Sequence, residues 1–252
     1  GAATPTTGYT AISQSIEGFD AVQLQYGTAN AKTVTLSFWV RTNVSANYSV
    51  ALRNSALNYA YIAQFGHMGS NAWFHIKITI PGATAGTWLT DNSKGLEVLW
   101  TLDTGSNFFG TKDAWNTSNV FNLAANTNNW SNTTGNYFEL TGVQLEVGSK
   151  ATEYVHENYG QTLAKCQRYY HAFNYGVDSS FLYLNQINPS LRAANGYWPV
   201  QMRAQPTLTP TLNLGTVAAA VATEKTYYFQ VASAYNAAQS YFLYALTADA
   251  EL

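Results

Sequence analysis

The chain has little cysteine, little charge and no long apolar run, and each shortage excludes a class of protein. Cys166 is the only cysteine in 252 residues, so no intrachain disulfide can stabilise the fold. Charged residues make up only 10% and the formal net charge is −2, which gives no electrostatic reason to expect nucleic acid as a partner. No segment approaches the roughly 20 apolar residues of a membrane helix, so membrane insertion is not expected. The first residues also lack the basic start and apolar run of a signal peptide.

Recognisable catalytic motifs are missing as well. The chain has no Walker loop, no GxSxG elbow, no HExxH and no CxxC pair. Its 14 acidic residues are spread too evenly to indicate the two carboxylates, roughly 5 to 10 Å apart, that glycoside hydrolysis requires. Cys166 is expected to be a small buried residue beside Tyr169 and Tyr170, not a nucleophile. The sequence therefore predicts a protein that is not an enzyme.

Aromatic, amide and hydroxyl side chains are abundant. Aromatics reach 15%, with 18 Tyr and 7 Trp, and together with the β-branched residues they supply enough apolar surface for a core. Many Asn, Thr, Ser and Gly residues accompany them. This composition is typical of an extracellular β-protein whose polar surface is built from amides and hydroxyls.

Alternating apolar residues predict strands separated by turns. In TVTLSFWVRT, every second residue from 34 to 40 is apolar, the pattern of a half-buried antiparallel strand. Further strands are predicted at 21–26, 48–54, 59–65, 72–81, 95–102 and 137–147, the last with a bulge at Thr141 and Gly142. Residues 1–20 are expected to form a loosely ordered lead-in, and one short helix is expected around 157–165. The pattern predicts an all-β fold, with a jelly-roll β-sandwich over residues 1–156 and a smaller C-terminal β-domain over 157–252.

The segment at the joint of these two domains carries a resemblance to a known family. GVQLEVGSKATEY followed by KCQRYY resembles a module near the C-terminus of many bacteriophage tail-fibre and related virion proteins, and WPVQMRAQPTLTP and the final LTADAEL fit the same pattern. Upstream, TLSFWVRTN, WFHIKITIPGATAGTW and GLEVLWTLDTG resemble the carbohydrate-binding-type jelly roll of those proteins. The resemblance implies location in the virion, assembly with other virion proteins and a homotrimer. Host-surface glycan is the partner expected under the leading functional hypothesis.

Tryptophans in loop-like sequence are the main candidates for glycan contacts, because the C–H faces of sugar rings stack on indole. Trp39, Trp73 and Trp100 lie in predicted strands and are expected in the core. Three others, Trp88, Trp115 and Trp130, are open to three interpretations: ligand stacking, anchoring of a loop at the edge of the sandwich, or subunit contact. The family resemblance favours anchoring for Trp88 and Trp115, which makes Trp130 the preferred ligand contact. Polar candidates beside them are Asp113, Asn116 and Asn129.

Other sites and functions also remain open. A structural calcium ion could use oxygens of Asp91, Asp103 and Asp113, and no other cofactor is expected. A tyrosine-rich C-terminal tip, displayed by loops at 177–179 and 193–196, is an alternative recognition surface. The leading functional hypothesis is non-enzymatic receptor binding by a virion fibre. The second is a purely structural virion component, such as a head fibre, decoration or baseplate protein, and the third is a polysaccharide depolymerase.

Overall fold

The structure, a computed structural model, describes residues 6–126, 130–174, 182–183, 185–188, 191–212, 216–232 and 242–251. These residues form mostly β-strands, paired in antiparallel sheets, so the predicted all-β class is confirmed. The chain divides into two compact units, Gly1–Val155 and His156–Leu252, and the domain boundary predicted from the sequence lies beside this division. No helix in the described ranges is both long enough and apolar enough to cross a membrane.

The described residues of the first unit form two sheets. Its elements are β1 (Tyr9–Glu17), α1 (Gly18–Ala21), β2 (Val34–Thr42), β3 (Ser45–Asn54), β4 (Ala60–Met68), β5 (Phe74–Ile80), β6 (Lys94–Thr104), β7 (Trp115–Asn116) and β8 (Phe138–Val147). A five-stranded sheet has the order β1-β6-β3-β4-β7, and a three-stranded sheet has the order β5-β2-β8. Both sheets contribute side chains to one apolar core.

Strand β2 forms the centre of that core, as its alternation predicts. Val34, Leu36, Phe38 and Val40 are fully buried, and they meet every second residue of β3, β4 and β6. The alternate residues of those three strands, among them Leu99, face the other side of the five-stranded sheet. There they pack against apolar residues of the 105–126 segment, among them Phe121 and Leu123.

The bulge predicted in β8 is confirmed. The register between β2 and β8 shifts between Ser37 and Trp39, where the β8 partners change from Gln144 to Thr141. Gly142 lies in the extra stretch with φ of 57°, a left-handed conformation that glycine adopts without steric cost. With this bulge, Phe138 and Leu140 before it and Leu145 after it all pack against the core.

The prediction for the N-terminus is wrong. Residues 9–17 are not a lead-in but the edge strand β1, paired along its length with β6. Residues 21–26 are not a strand, because α1 ends at Ala21 and a 3-10 turn occupies Val22–Leu24. The edge strand is rich in Thr, Ser and Gln, so its apolar alternation is too weak to predict a strand. Backbone pairing with β6 holds the segment as a strand instead.

The second unit has its own sheets and core. Its elements are α2 (Tyr159–Gln167), β9 (Tyr170–Asn174), β10 (Leu182–Tyr183), β11 (Asn185–Asn188), β12 (Leu191–Tyr197), β13 (Thr207–Leu212), β14 (Thr216–Ala222), β15 (Thr226–Ala232) and β16 (Phe242–Asp249). One sheet has the order β10-β16-β13, with β9 also paired to β16, and the other has the order β11-β12-β15-β14. Trp198, Met202 and Phe229 are among the buried residues of the core.

Two sequence predictions in this unit need correction. Residues 193–196 are not a display loop but part of β12, and Ala193 and Ala194 are buried. A Cβ at Gly196 would lie 2.4 Å from the hydroxyl of Tyr227, so the glycine marks a close approach inside a sheet and not a turn. Cys166 is exposed, because α2 buries none of its residues. The other proposed display loop, 177–179, lies outside the described residues.

Candidate functional site

Two of the predicted tryptophans meet in one aromatic cluster. The ring centroids of Trp88 and Trp115 lie 5.8 Å apart and nearly perpendicular, while Tyr59 stacks on Trp115 at 5.4 Å. Tyr26 contacts both indoles, with centroid separations of 4.9 Å to Trp88 and 5.9 Å to Trp115. Edge-to-face and offset arrangements of this kind are favourable for aromatic rings, so each indole is held in a defined orientation.

Both indole N–H groups are hydrogen-bonded to backbone. Trp88 Nε1 donates to the carbonyl of Ala85 at 3.0 Å, and Trp115 Nε1 donates to the carbonyl of Pro81 at 3.1 Å. Both side chains are half-buried and pack against the main core. These contacts fit the anchoring interpretation. Trp115 of the edge strand β7 bonds to the loop after β5, and Trp88 bonds within that loop and packs against Trp115.

A cleft of about 450 Å³ opens beside Trp88. We call it the Trp88 cleft; its lining residues are Ala21, Val22, Gln25, Tyr26, Thr28, Asn30, Trp88, Leu89, Thr90 and Leu96. Two aromatic rings and several amides and hydroxyls line it, and none of these residues is charged. Burial raises the pKa of Tyr26, so its phenol stays neutral. The cleft combines apolar surface with uncharged hydrogen-bonding groups, as small-molecule sites commonly do.

The polar candidates near Trp115 have structural contacts of their own. The Asn116 side chain accepts a hydrogen bond from the Thr111 N–H at 2.9 Å and donates to the carbonyls of Thr111 and Ala114 at 3.0 and 2.9 Å. Asp113 is exposed, has φ of 54°, and its N–H donates to the Ile62 carbonyl at 2.8 Å. Asn116 therefore closes the turn that Asp113 occupies, and neither residue lines the Trp88 cleft.

Trp130 lies apart from that cleft. It begins a 3-10 turn, Trp130–Asn132, is half-buried against the main core, and its carbonyl accepts a hydrogen bond from Asn136 Nδ2 at 2.8 Å. The neighbouring Ser131 hydroxyl donates to the buried Asp103 at 2.9 Å. Its role as the preferred ligand contact stays a prediction, and Asn129 lies outside the described residues.

The three aspartates considered for calcium are not brought together. Within the described ranges, no group of three or more His, Cys, Asp or Glu side chains is placed to hold a metal ion. Asp91 instead accepts the Ser93 N–H at 2.9 Å, Asp103 is buried and Asp113 is exposed. Each carboxylate belongs to a different local structure.

The expectation that Trp39 and Trp73 are core residues is wrong. Trp100 is buried, at 1% exposure, but Trp39 and Trp73 are each 40% exposed on the outer face of the three-stranded sheet. Trp39 stacks on His75 with centroids 4.6 Å apart and an interplanar angle of 8°, and the Arg41 guanidinium lies 5.1 Å from the Trp73 ring centroid. The sequence could have predicted the exposure of Trp39, because it alternates with the buried apolar residues of β2 and so lies on the opposite face of the strand.

Comparisons with known proteins add no relative: no family model, no curated protein and no solved structure matches this chain.

Proposed function

We propose that this chain is a non-enzymatic part of a bacteriophage virion fibre that binds host-surface glycan during adsorption. In this proposal the first unit is a jelly-roll β-sandwich of the carbohydrate-binding type and the second unit is a C-terminal β-tip. The observation that carries the binding role is the Trp88 cleft. The fibre assignment rests on the sequence motifs of the joint and of the upstream strands.

The lining of the Trp88 cleft suits a sugar ring. A pyranose offers an apolar C–H face and a rim of hydroxyls, which match an indole and neighbouring amide or hydroxyl groups respectively. Gln25, Thr28, Asn30 and Thr90 supply such groups. The contacts of Trp88 with Tyr26, Trp115 and the Ala85 carbonyl fix the ring before a ligand arrives, which lowers the entropic cost of binding.

Hydrolysis fits this cleft poorly. Glycoside hydrolysis uses two carboxyl groups that flank the scissile bond, and no Asp or Glu lines the Trp88 cleft. Binding without cleavage is therefore the better proposal. A homotrimer would present several copies of a weak site, and their combined avidity can exceed the affinity of one site by roughly 10² to 10⁴.

A purely structural role in the virion is the second candidate. The observation in its favour is the anchoring of Trp88 and Trp115, whose indole N–H groups both bond to backbone carbonyls. In that case the aromatic cluster holds loops in place for assembly with other virion proteins, and the cleft beside it has no ligand.

A glycan array with the full chain, combined with light scattering, tests the proposal. We expect a trimer that binds defined bacterial saccharides, with binding lost in Trp88→Ala and reduced in Asn30→Ala. Asn30 is exposed, so its substitution tests the cleft even if Trp88→Ala fails to fold. Trp130→Ala distinguishes the two candidate tryptophans. If saccharide binding is lost in Trp130→Ala but kept in Trp88→Ala, the binding site lies at Trp130 and not at the Trp88 cleft. A folded protein that binds no saccharide would support the structural role.

A further inference from the structure

The outer face of the three-stranded sheet carries an ordered array of side chains. Cross-strand pairing places His75, Trp39 and Thr141 in one row. The next row in one direction has Lys77, Ser37 and Gln144, and Trp73, Arg41 and Glu139 lie in the other direction. Two exposed tryptophans in one such array are unusual, because water-exposed indole is unfavourable unless something covers it.

Trp39 is held with one side open. The parallel stack with His75 covers one side of its ring. On the β8 side stands Gly142, where an added Cβ would lie 3.1 Å from Trp39 Cδ1. Because Gly142 has no side chain, space stays open beside the Trp39 indole, and the side chain of any other residue would occupy part of it.

The segment after β8 forms a wall over this space. Glu146 accepts two hydrogen bonds from Thr152, one from its N–H and one from its hydroxyl, both at 2.8 Å. Gln144 Oε1 accepts the N–H of Val155 at 3.1 Å. These two side chains of β8 clamp residues 152–155 against the sheet. Residues 144–146 and 152–155 thus supply the two sides of this clamp.

Sheet and wall enclose a cleft of about 350 Å³. We call it the Trp39 cleft; its lining residues are Ser37, Trp39, His75, Lys77, Gly142, Ala151, Thr152, Glu153 and Tyr154. Trp39 and Tyr154, which is 47% exposed, supply aromatic surface. Lys77 offers a hydrogen-bond donor and Glu153 an acceptor. Partial burial and the nearby Lys77 charge lower the pKa of His75, so its imidazole is neutral near pH 7.

We propose that the Trp39 cleft is a second saccharide subsite, which takes a neutral pyranose ring against Trp39 with its hydroxyls bonded to Lys77 and Glu153. A sugar hydroxyl both donates and accepts, so a cleft with one donor and one acceptor suits it. The opposite charges of Lys77 and Glu153 cancel, which gives no net attraction for a carboxylated or phosphorylated sugar. The choice of a saccharide as ligand rests on the proposed function.

Saturation-transfer NMR and calorimetric titration of the full chain with methyl glucoside, methyl galactoside and methyl mannoside test the subsite, with glucuronate as the acidic probe. We expect at least one neutral glycoside to bind and Trp39→Ala to weaken it at least tenfold. Trp73→Ala is the matched control, because Trp73 is equally exposed on the same face but does not line the cleft. Lys77→Gln, at an exposed position, is expected to weaken binding several-fold and serves if Trp39→Ala does not fold.

The outcomes separate this subsite from the proposed function. The subsite proposal is overturned if folded Trp39→Ala or Lys77→Gln binds the neutral glycosides as tightly as wild type does. It is also overturned if Trp73→Ala loses as much affinity as Trp39→Ala, or if the chain prefers glucuronate to the neutral glycosides. If Trp88→Ala abolishes saccharide binding while Trp39→Ala leaves it intact, the proposed function stands and the subsite fails. If no neutral glycoside or array saccharide binds the wild-type chain, both fail.

Discussion

Replacing Glu97 by glutamine is expected to destabilise the first unit strongly, because it removes the counter-ion of a buried arginine. Arg53 and Glu97 lie directly opposite each other on β3 and β6, and Arg53 Nε is 2.5 Å from Glu97 Oε2. Their side chains are only 7% and 8% exposed. The guanidinium also donates to Asn119 Oδ1 at 3.0 Å and lies 5.0 Å from the ring centroid of Phe121.

The expected loss follows from burial. Removing one partner of a buried ion pair typically costs about 3–5 kcal/mol, because the remaining charge stays desolvated without compensation. Glutamine keeps the size and the acceptor oxygen of Glu97, so we expect the low end, about 3 kcal/mol. With an unfolding slope of roughly 2 kcal/mol per molar urea, the midpoint should fall by about 1.5 M.

The assay is urea unfolding of the full chain followed by tryptophan fluorescence. All tryptophans except Trp198 belong to the first unit, so the signal reports mainly on that unit. Arg41 and Glu139 provide a matched control, because they are also an Arg–Glu pair at directly opposed positions but are solvent-exposed. Exposed pairs contribute little to stability, so Glu139→Gln should leave the midpoint nearly unchanged. Equal shifts in the two variants, or no shift in Glu97→Gln, would refute the argument from burial.

Three further predictions concern the clamp, the bulge and the helix. Hydrogen bonds from the Thr152 N–H and hydroxyl lower the pKa of Glu146. The clamp therefore stabilises the fold above the ordinary carboxyl pKa, and this stabilisation is lost as pH falls through the lowered pKa. Urea unfolding across pH should show that the difference in stability between wild type and Glu146→Gln disappears in acid. Gly142→Ala should cost about 1–2 kcal/mol in the same assay, since φ there is 57°, and an unchanged midpoint would contradict the bulge geometry. Asn158→Ala should weaken α2 by about 1 kcal/mol, because Asn158 Oδ1 caps the Gln161 N–H at 3.0 Å; faster hydrogen exchange of the α2 amides is the readout.

Strand alternation predicted the centre of the first unit well. Val34, Leu36, Phe38 and Val40 of β2 are buried as their period indicates, and the phase shift at Gly142 correctly indicated a bulge. Both are local signals, since side chains on one face of a strand share one environment. The helix near residue 160 was also predicted, but its observed start at Tyr159 is set by the Asn158 cap.

The candidate site was predicted less well, because its elements are distant in sequence. Trp88 and Trp115 were both named as candidates, but their meeting with Tyr26 and Tyr59 depends on sheet order. Trp39 was expected in the core because it lies in a predicted strand, although its place in the alternation of that strand indicates the outer face. Asn116 looked like a polar ligand residue, yet its amide bonds to its own turn.

The sequence by itself determined the all-β class, the apolar face of β2, the bulge in β8 and the absence of an intrachain disulfide, because each depends on composition or on the alternation of neighbouring residues. Only the tertiary structure decided that residues 9–17 pair with β6, that Arg53 and Glu97 are buried together, and that Trp88 and Trp39 each border a cleft. These depend on pairing between distant segments, since a strand's partner and the space beside a side chain are not properties of the local sequence.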